Sequence, residues 1–347
     1  MPKVPAFLKP LREKLRKYRL QVWLLEGRER HSGEELTILY AGHLLNKNYI
    51  AHLAYGDDHR ETRLGKAWTW SVARIAKAHP TSALIFTETE EAYFNRFAGP
   101  DDFYIPCWID GEIEFARYNE LVKHSETLKS DIRKIRKQGY TYEISRDKDK
   151  FDLFYYEMYR PYILKAHGNR AALMSYEAMM SKASITELLL IRQGDEYVAG
   201  ENLLYENGSV RAWSLGVRDG DYRHVKEGAI GALYYYKIEY LSGRGFARFD
   251  AGASRAFLKD GVLQYKRKWG LRLTRPRAGG FCLRKRCQLT MADTYIFNNP
   301  FIHSRNQILY GLVVTGSSAA HHRKLSEHPD YIHDIPGIAF MEYSSSS

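Results

Sequence analysis

Short apolar runs and helically spaced apolar residues alternate along the first third of the chain. Runs of strand length occur at 37–41, 49–54, 82–87, 103–109 and 112–116, and such runs, bounded by polar turns, predict strands. A helical stretch is predicted near 66–79. In residues 6–22, leucines at helical spacing lie among lysines and arginines, which predicts a basic amphipathic helix. Helices and strands mixed in this way indicate an α/β segment.

The second half has a more regular order of predicted elements. After two helices, three strands are predicted at 187–192, 196–205 and 209–217. Asn207–Gly208 joins the last two strands, and this dipeptide is the strongest short signal for a hairpin turn. A polar loop at 218–227, a helix from about Gly228 to Gly243 and a short strand at 246–250 follow. This order predicts an antiparallel meander with a parallel strand pair beside it.

The length of 347 residues indicates two domains or one large one, and the charge is not evenly spread along the chain. Residues 121–290 contain 32 basic and 19 acidic residues, a net charge of +13, whereas the whole chain carries +11. Ten of these cations lie within 259–286. An excess of this size indicates an anionic partner, and the alternative is a solvated basic face. We expect these ten cations to line one phosphate-binding site.

Several classes of protein are excluded or disfavoured by composition. No apolar run approaches the length of a membrane span, and no apolar leader follows the basic start of the chain. We therefore expect a cytoplasmic protein, with residues 6–22 able to contact anionic lipid, although packing of that helix on its own domain is the favoured alternative. Three cysteines form no disulfide framework, and no metal site or tightly bound cofactor is expected.

Two runs in the second half carry a family resemblance. Gly243–Ser254 has the sequence GRGFARFDAGAS, and residues 260–270 have the sequence DGVLQYKRKWG. Together with the predicted order of elements, they resemble the FemAB and BioF2-like branch of the GNAT acyltransferases across about 121–275. The resemblance implies an α+β (mixed α/β) fold with two tandem GNAT-like domains, each built on a mixed sheet flanked by helices. The expected divisions are a degenerate GNAT-like domain at 1–120, a catalytic domain at 121–290 and an extension at 291–347.

The resemblance also implies an activity. We expect an N-acyltransferase that moves an acyl group from acyl-CoA or an acyl carrier to an amine of an amino acid, a peptide or another small acceptor. One alternative is a Fem-type transferase that uses aminoacyl-tRNA. The other is a non-catalytic GNAT-like module that binds nucleic acid or an anionic surface.

The donor is expected to bind at the polar loop before the second-half helix, where GNAT enzymes that use acetyl-CoA carry a phosphate-binding motif. Arg223 and Gly228 match that motif, Lys226 stands where it has its first glycine, and Gly231 follows on the helix. A helix N-terminus suits phosphate because its first amides are unpaired. For both glycines, the alternative is helix start and close packing.

Catalysis is expected near the two runs that carry the resemblance. Lys266 matches the lysine that steadies the tetrahedral intermediate in Fem-type enzymes, and Tyr265 is its aromatic neighbour; the alternative is that Lys266 belongs to a generic basic patch. Asp250 is expected to orient the amine or accept its proton, or else to pair with Arg248 or Arg255 or to cap the following turn. Further substrate contacts are expected from Ser254, Arg255, Glu201 as a base and Trp213 as a wall, and for Trp213 a place in the core is the favoured alternative.

Overall fold

The computed structural model describes residues 17–168, 173–286, 290–315 and 335–344. The strands are β1 (Arg19–Arg28), β2 (Glu35–Gly42), β3 (Arg60–Trp68), β4 (Leu84–Thr89), β5 (Phe103–Pro106), β6 (Ile109–Glu114), β7 (Tyr140–Ser145), β8 (Thr186–Gln193), β9 (Glu196–Glu206), β10 (Ser209–Val217), β11 (Arg248–Asp250), β12 (Leu271–Pro276), β13 (Gly280–Lys285), β14 (Phe301–Arg305), β15 (Ile308–Thr315) and β16 (Ala339–Ser344). The α-helices are α1 (Leu44–Tyr55), α2 (Val72–Ala78), α3 (Glu91–Phe97), α4 (Phe115–His124), α5 (Glu126–Lys137), α6 (Lys148–Leu153), α7 (Arg160–His167), α8 (Tyr176–Met180), α9 (Tyr222–Glu227), α10 (Ala229–Gly243), α11 (Gly261–Lys268) and α12 (Thr290–Asn298).

The chain forms two compact units with two large mixed sheets flanked by helices, so the predicted mixed α/β class is confirmed. Among the described residues, the first unit contains those within 17–109, 255–263 and 275–344, and the second contains those within 110–254 and 264–274. These units do not follow the boundaries predicted from the sequence. The reason is strand pairing: β13 joins β4 and β5 in the first unit, so residues 280–285 leave the predicted catalytic domain, while β6 pairs with β11 in the second.

The six-stranded sheet of the first unit has the order β3-β1-β2-β4-β13-β5. Its central strands β2 and β4 are parallel, and the pairs β1 with β2, β1 with β3, β4 with β13 and β13 with β5 are antiparallel. Phe86, Phe281 and Tyr295 pack edge to face in its core, with ring centroids 6.0 and 6.2 Å from Phe86. A separate three-stranded sheet, β14-β15-β16, belongs to the same unit.

Three predicted elements of the first third differ from the structure, one throughout and two in part. The predicted strand at 49–54 lies inside α1, because Ile50, Ala51 and Ala54 are spaced to bury one face of a helix. Of the predicted helix at 66–79, residues 66–68 belong to β3, and the helical part begins with a 3-10 turn at Thr69–Ser71 that leads into α2. Of the predicted helix at 6–22, residues 19–22 belong to β1, which is paired on both sides, and residues 6–16 lie outside the described residues.

The seven-stranded sheet of the second unit has the order β12-β6-β11-β10-β9-β8-β7. The predicted meander is confirmed as β8, β9 and β10, each antiparallel to the next. Both turn residues between β9 and β10 have positive φ, 51° for Asn207 and 73° for Gly208, as the hairpin turn requires. The predicted parallel pair is β10 with β11. The candidate site lies beside this pair.

Candidate active site

The two parallel strands of the second unit touch at one point and then separate. Arg211 of β10 is matched with Asp250 of β11. Beyond this point β11 follows β6, because the Ala251 amide donates to the Gly111 carbonyl at 2.9 Å. β10 instead remains paired with β9 as far as Val217, with a bulge between Ala212 and Ser214. Beyond this one matched position, residues 211–215 of β10 are only half-buried.

Lys266 places a cation where the strands separate. Its Nζ donates to the carbonyl of Ala253 at 2.8 Å and to that of Gly252 at 3.2 Å, and the residue is 7% exposed. Gly252 has φ of 70°, a conformation that favours glycine. A Cβ atom at Gly252 would lie 3.5 Å from the Ala212 carbonyl oxygen and 3.9 Å from the Lys266 Nζ. The lysine head therefore lies beside β10 and the loop after β11.

The residues next to Lys266 point elsewhere. Tyr265 packs against Tyr234 of α10, with ring centroids 5.5 Å apart, and burial raises its pKa. Lys268 forms an ion pair with Asp131 of α5. Lys266 and Lys268 thus have different surroundings: Lys266 contacts the loop after β11, whereas Lys268 contacts α5. Tyr265 packs between helices α10 and α11.

Asp250 uses both carboxylate oxygens within the fold. Oδ2 accepts from the Arg211 Nε at 2.6 Å, and Oδ1 accepts from the Gly252 amide at 2.7 Å. The turn cap that we considered as an alternative is therefore present, but the basic partner is Arg211, and Arg248 lies 3.4 Å from Glu112 instead. This arrangement fixes the loop that Lys266 contacts. Ser254 is buried in the same loop, and its Oγ has no hydrogen-bond partner in the described part of the chain.

A buried ion pair that the sequence analysis missed lies under the sheet. Lys237 of α10 donates to Oε2 of Glu201 at 2.6 Å, and both side chains are almost fully buried. The ammonium also lies 4.4 Å from the ring centroids of Tyr234 and Phe249, and burial lowers its pKa. Glu201, predicted as a base, is thus committed to Lys237. The helical spacing could have predicted the burial of Lys237, since this residue falls on the same buried face as Tyr234 and Leu241.

Trp213 occupies the bulge of β10 and is half-buried. It packs against a hydrophobic cluster that includes Phe154 and Leu188. The Lys182 Nζ lies 5.9 Å from its ring centroid. Trp213 is thus mainly a packing residue, which agrees with its favoured alternative.

The predicted phosphate loop is mostly helical, which corrects the expectation for both glycines. Residues 222–227 form α9, started by Asp221, whose Oδ1 accepts from the Arg223 amide at 2.8 Å. The Gly228 amide donates to the carbonyls of His224 and Val225 at 3.1 Å, so it is engaged within the fold. Gly231 is buried, and a Cβ atom there would lie 3.3 Å from Ile135 of α5. Gly231 therefore serves close helix packing.

Several exposed cationic side chains lie on α5 and α9. The Nζ of Lys134 on α5 donates to the carbonyl of Lys226 on α9, which ties the two helices together. We call the exposed cations of these helices the basic surface: Arg133, Lys134, Arg136, Lys137, Arg223 and Lys226. Asp221 lies 3.6 Å from Arg223 and partly balances it. The basic surface offers several adjacent positive charges for a phosphate-bearing molecule.

The remaining predicted contacts belong to the first unit. Arg255 lies there, between Tyr49 and Trp108. The ten cations of 259–286 are divided between the units, and several are bound within the first: Arg284 to Asp102, and Arg286 to the carbonyls of Ala76 and His79. The expectation that these cations line one site is therefore wrong. Sequence proximity does not place them together, because strand β13 joins the other sheet.

The first unit also contains an apolar pocket of about 200 Å³ between β4, β13 and the helices α2 and α3. None of the predicted site residues lines it. Burial raises the pKa of Cys282, on its wall, to about 12. Among the described residues, no group of His, Cys, Asp or Glu side chains is arranged to hold a metal, and no helix there has the length and apolarity needed to cross a membrane.

Part of the chain is similar to a known domain family. Residues 122–267 match the family model described as an acetyltransferase (GNAT) domain, which confirms the GNAT part of the predicted resemblance. The matched segment contains the diverging strands, Asp250 and Lys266. It supports a transferase that takes an acyl donor and an amine acceptor. No curated protein matches the sequence at a significant level.

Solved structures show distant likeness. The chain is similar to L-PGS from Bacillus licheniformis, with 10% identity over 78% of this chain and 86% of that chain and a TM-score of 0.37. It is similar to FemX, with 13% identity over 74% and 83% and a TM-score of 0.37. It is also similar to a GCN5-related N-acetyltransferase from Sphaerobacter thermophilus, with 11% identity over 73% and 78% and a TM-score of 0.33. All three TM-scores are below 0.5, so these likenesses identify no activity.

Proposed function

We propose that the second unit is an N-acyltransferase of the FemAB and BioF2-like branch, acting in the cleft between β10 and β11. The observation that carries the proposal is the separation of this parallel pair after Arg211 and Asp250, with the Lys266 ammonium at the opening. The two sequence runs that resemble the branch supply the loop after β11 and the helix that holds Lys266. The GNAT family match across 122–267 supports the same reaction class.

The proposed chemistry uses the open side of β10 and the buried cation. A neutral amine attacks the acyl carbonyl, a C–N bond forms, and the bond from the carbonyl carbon to the donor sulfur or oxygen breaks. The proton lost by the amine is transferred to the leaving group. The carbonyl oxygen gains negative charge in between, and Lys266 turns one of its hydrogen bonds from a loop carbonyl to that oxygen. A donor aimed at such an oxyanion stabilises the transition state by about 3–4 kcal/mol.

Replacing Lys266 by alanine tests this role. We expect turnover to fall about 100- to 1,000-fold, because the oxyanion loses its charged donor. The matched control is Lys268→Ala, two residues along the same helix, where the lost partner is Asp131 and not the loop. The measurement is thiol release from an acyl-CoA panel with amino acids and peptides as acceptors, with circular dichroism to confirm folding. Equal turnover of the wild type and the Lys266 variant would overturn the catalytic assignment.

The helical form of the predicted phosphate loop favours a second candidate donor. The Gly228 amide is engaged within the fold, and the exposed side chains of the basic surface, which extends along α5, offer further positive charges for phosphate. Such a surface suits the backbone of an aminoacyl-tRNA at least as well as a single pyrophosphate. The Fem-type reaction, with an aminoacyl ester as donor, is therefore the alternative that we retain beside acyl-CoA.

The two donors are distinguished by a charge-removing double variant, Arg133→Ala with Lys137→Ala. If tRNA binds, its affinity falls and the slope of log affinity against log salt decreases by about 1.4 to 1.8, since each phosphate contact contributes about 0.7 to 0.9. The control is Lys129→Ala on the same helix, where the lysine is paired with Glu126 at 2.7 Å. Unchanged tRNA affinity with acyl-CoA turnover present selects acyl-CoA. RNA binding with no turnover of either donor identifies a non-catalytic binding module and contradicts the proposed function.

A further inference from the structure

Arg255 of the first unit is held in an unusual setting. Its guanidinium lies 3.9 Å from the Trp108 ring centroid and 4.4 Å from that of Tyr49. Nη1 donates to Oδ1 of Asn46 at 2.9 Å and to the Cys107 carbonyl at 3.3 Å. Two aromatic faces and two acceptors therefore fix the plane and the rotation of this cation. An arginine that is positioned in this way is pre-organised for a ligand.

The fixed guanidinium presents an unused pair of donors. Nη1 carries two hydrogens, and both have acceptors, so the remaining donors are Nε–H and Nη2–H. In the described part of the chain, neither of these nitrogens has a hydrogen-bond acceptor, and Arg255 has no ion pair. Neither is a buried atom without a partner, so solvent reaches them. The arginine is half-buried, and Trp108 is 40% exposed.

A second arginine of the same unit shows what this pair of donors binds. Nε of Arg284 donates to Oδ1 of Asp102 at 2.8 Å, and Nη2 donates to Oδ2 at 2.5 Å. Arg284 thus uses Nε and Nη2 as a two-pronged fork around one carboxylate, the geometry that such pairs favour. The fork of Arg255 has no such partner among the described residues. Both arginines offer the same pair of donors, but only the pair of Arg284 is bound to a carboxylate of the protein.

We propose that Arg255, with Tyr49 and Trp108 as walls, binds a carboxylate group of a small ligand. Two negative charges lie close by: Glu88 accepts from the Asn46 Nδ2 at 3.1 Å, and Asp260 accepts from the Tyr49 hydroxyl at 3.2 Å. They disfavour a doubly charged phosphate more than a singly charged carboxylate. A planar carboxylate also fits the plane set by the two rings. The site lies entirely within the first unit and does not depend on the proposed acyl transfer.

The test uses benzoate as the probe, because it joins a carboxylate to a flat apolar ring, and benzamide as its neutral control. The measurement is NMR of the arginine Nε–H signals, with the Arg255 signal assigned by its loss in Arg255→Lys. We expect a saturable shift of the Arg255 signal with benzoate, none with benzamide, and at least tenfold weaker benzoate binding in Arg255→Lys, which keeps the charge but loses the fork. The Arg284 signal, whose fork is occupied, should not move.

Three outcomes would overturn the proposal. The first is a benzoate shift at Arg255 no larger than that at the exposed Arg28. The second is equal benzoate affinity of the wild type and Arg255→Lys. The third is tighter binding of inorganic phosphate than of benzoate, which contradicts the ligand class. Trp108→Leu provides a second variant that leaves the fork intact; we expect it to bind benzoate more weakly, and unchanged affinity would exclude the aromatic wall.

Discussion

The two units each contain a parallel pair of central strands, but only one of the pairs is open. In the first unit, β2 and β4 are matched at four successive positions, from Ile38 with Leu84 to Ala41 with Thr87. In the second unit, β10 and β11 are matched once. At the end of the closed pair lies a carboxylate, Glu88, and at the opening of the other lies an ammonium, Lys266. The two parallel pairs therefore differ in how far their backbones stay matched, and the proposed cleft lies beside the shorter pair.

The buried carboxylate of the second unit has a lysine as its partner, and replacing this carboxylate gives the largest predicted loss of stability. Glu201 in the second unit is balanced by the buried Lys237, at 2.6 Å. Glu201→Gln leaves that ammonium buried without its counter-charge, and we expect a loss of about 3–5 kcal/mol in the free energy of unfolding. The measurement is urea unfolding, and the control is the double variant Glu201→Gln with Lys237→Met, which removes both charges and should recover much of the loss.

The same variant has a predictable pH dependence. Burial lowers the pKa of Lys237, so the folded state releases this proton at a lower pH than the unfolded state, whose lysine has a pKa of about 10.4. Between these two pKa values the unfolded state binds more protons, and stability increases with pH. Glu201 raises the pKa of Lys237, so in Glu201→Gln the folded-state pKa falls further and the increase of stability with pH begins at a lower pH. The deficit of the variant should therefore be largest at neutral pH and shrink toward pH 10. A deficit that is constant over this range would contradict a charged Lys237 as its cause.

Glycines near the ends of the parallel strands provide the next comparison. A Cβ atom at Gly216 of β10 would lie 2.4 Å from the backbone nitrogen of Tyr159, whereas one at Gly42 of β2 would lie 2.5 Å from the side chain of Glu88. Backbone moves less readily than a side chain, so we expect Gly216→Ala to cost about 2–3 kcal/mol and Gly42→Ala less. Thermal unfolding of both variants measures the difference. Equal losses would show that Glu88 is held as rigidly as backbone.

The sequence predicted the parts of the fold that depend on local signals. Asn207–Gly208 specifies a hairpin, and the apolar spacing of α10 specifies its buried face, so the meander and the parallel pair follow. The helix α9 was missed because its polar residues show no apolar period, and its start depends on the Asp221 cap. Asn46 and Arg255, which are 209 positions apart, could not be joined from sequence, because only tertiary pairing brings them together.

The candidate site was predictable to a similar extent. The run from Asp250 to Lys266 identified the loop and the helix that meet at the cleft. The partners of these residues were not predicted: Arg211 for Asp250, and Lys237 for Glu201. Arg211 lies on the neighbouring strand and Lys237 on a helix packed against the sheet. A sequence pattern shows which face of an element is buried but not which residue it meets.

Glu88, at the end of the pair β2 and β4, provides a stability comparison with Glu201. Its carboxylate accepts from the Tyr40 hydroxyl, the His43 amide and the Asn46 side chain, and the His43 ring lies against it. Glu88→Gln keeps the shape and loses acceptor strength while leaving no buried lysine behind. We expect a loss of about 1.5 kcal/mol, smaller than for Glu201→Gln. Urea unfolding of the two glutamine variants side by side measures the ratio, and a larger loss at Glu88 would reverse the comparison.

The smallest predicted effect concerns how helices begin in the two units. The amide of His43, before α1, donates to the distant Glu88 at 2.8 Å, and His43 makes no side-chain cap of its own. α5 of the second unit begins with a local cap, since the Ser125 Oγ accepts from the Leu128 amide at 3.3 Å. Ser125→Ala should therefore cost about 1 kcal/mol, whereas His43→Ala keeps the amide contact and should cost less.

Thermal unfolding of these two variants isolates the cap, because neither residue is part of the proposed cleft. A further variant, Ser125→Asp, restores an acceptor and adds a negative charge at the helix N-terminus, where it is favourable. It should recover the stability lost in Ser125→Ala. If Ser125→Ala is neutral, α5 is held by its buried Leu128, Ile132 and Ile135 alone, and the two units do not differ in this respect. A loss larger for His43→Ala would instead show that the histidine ring, rather than its amide, stabilises the start of α1.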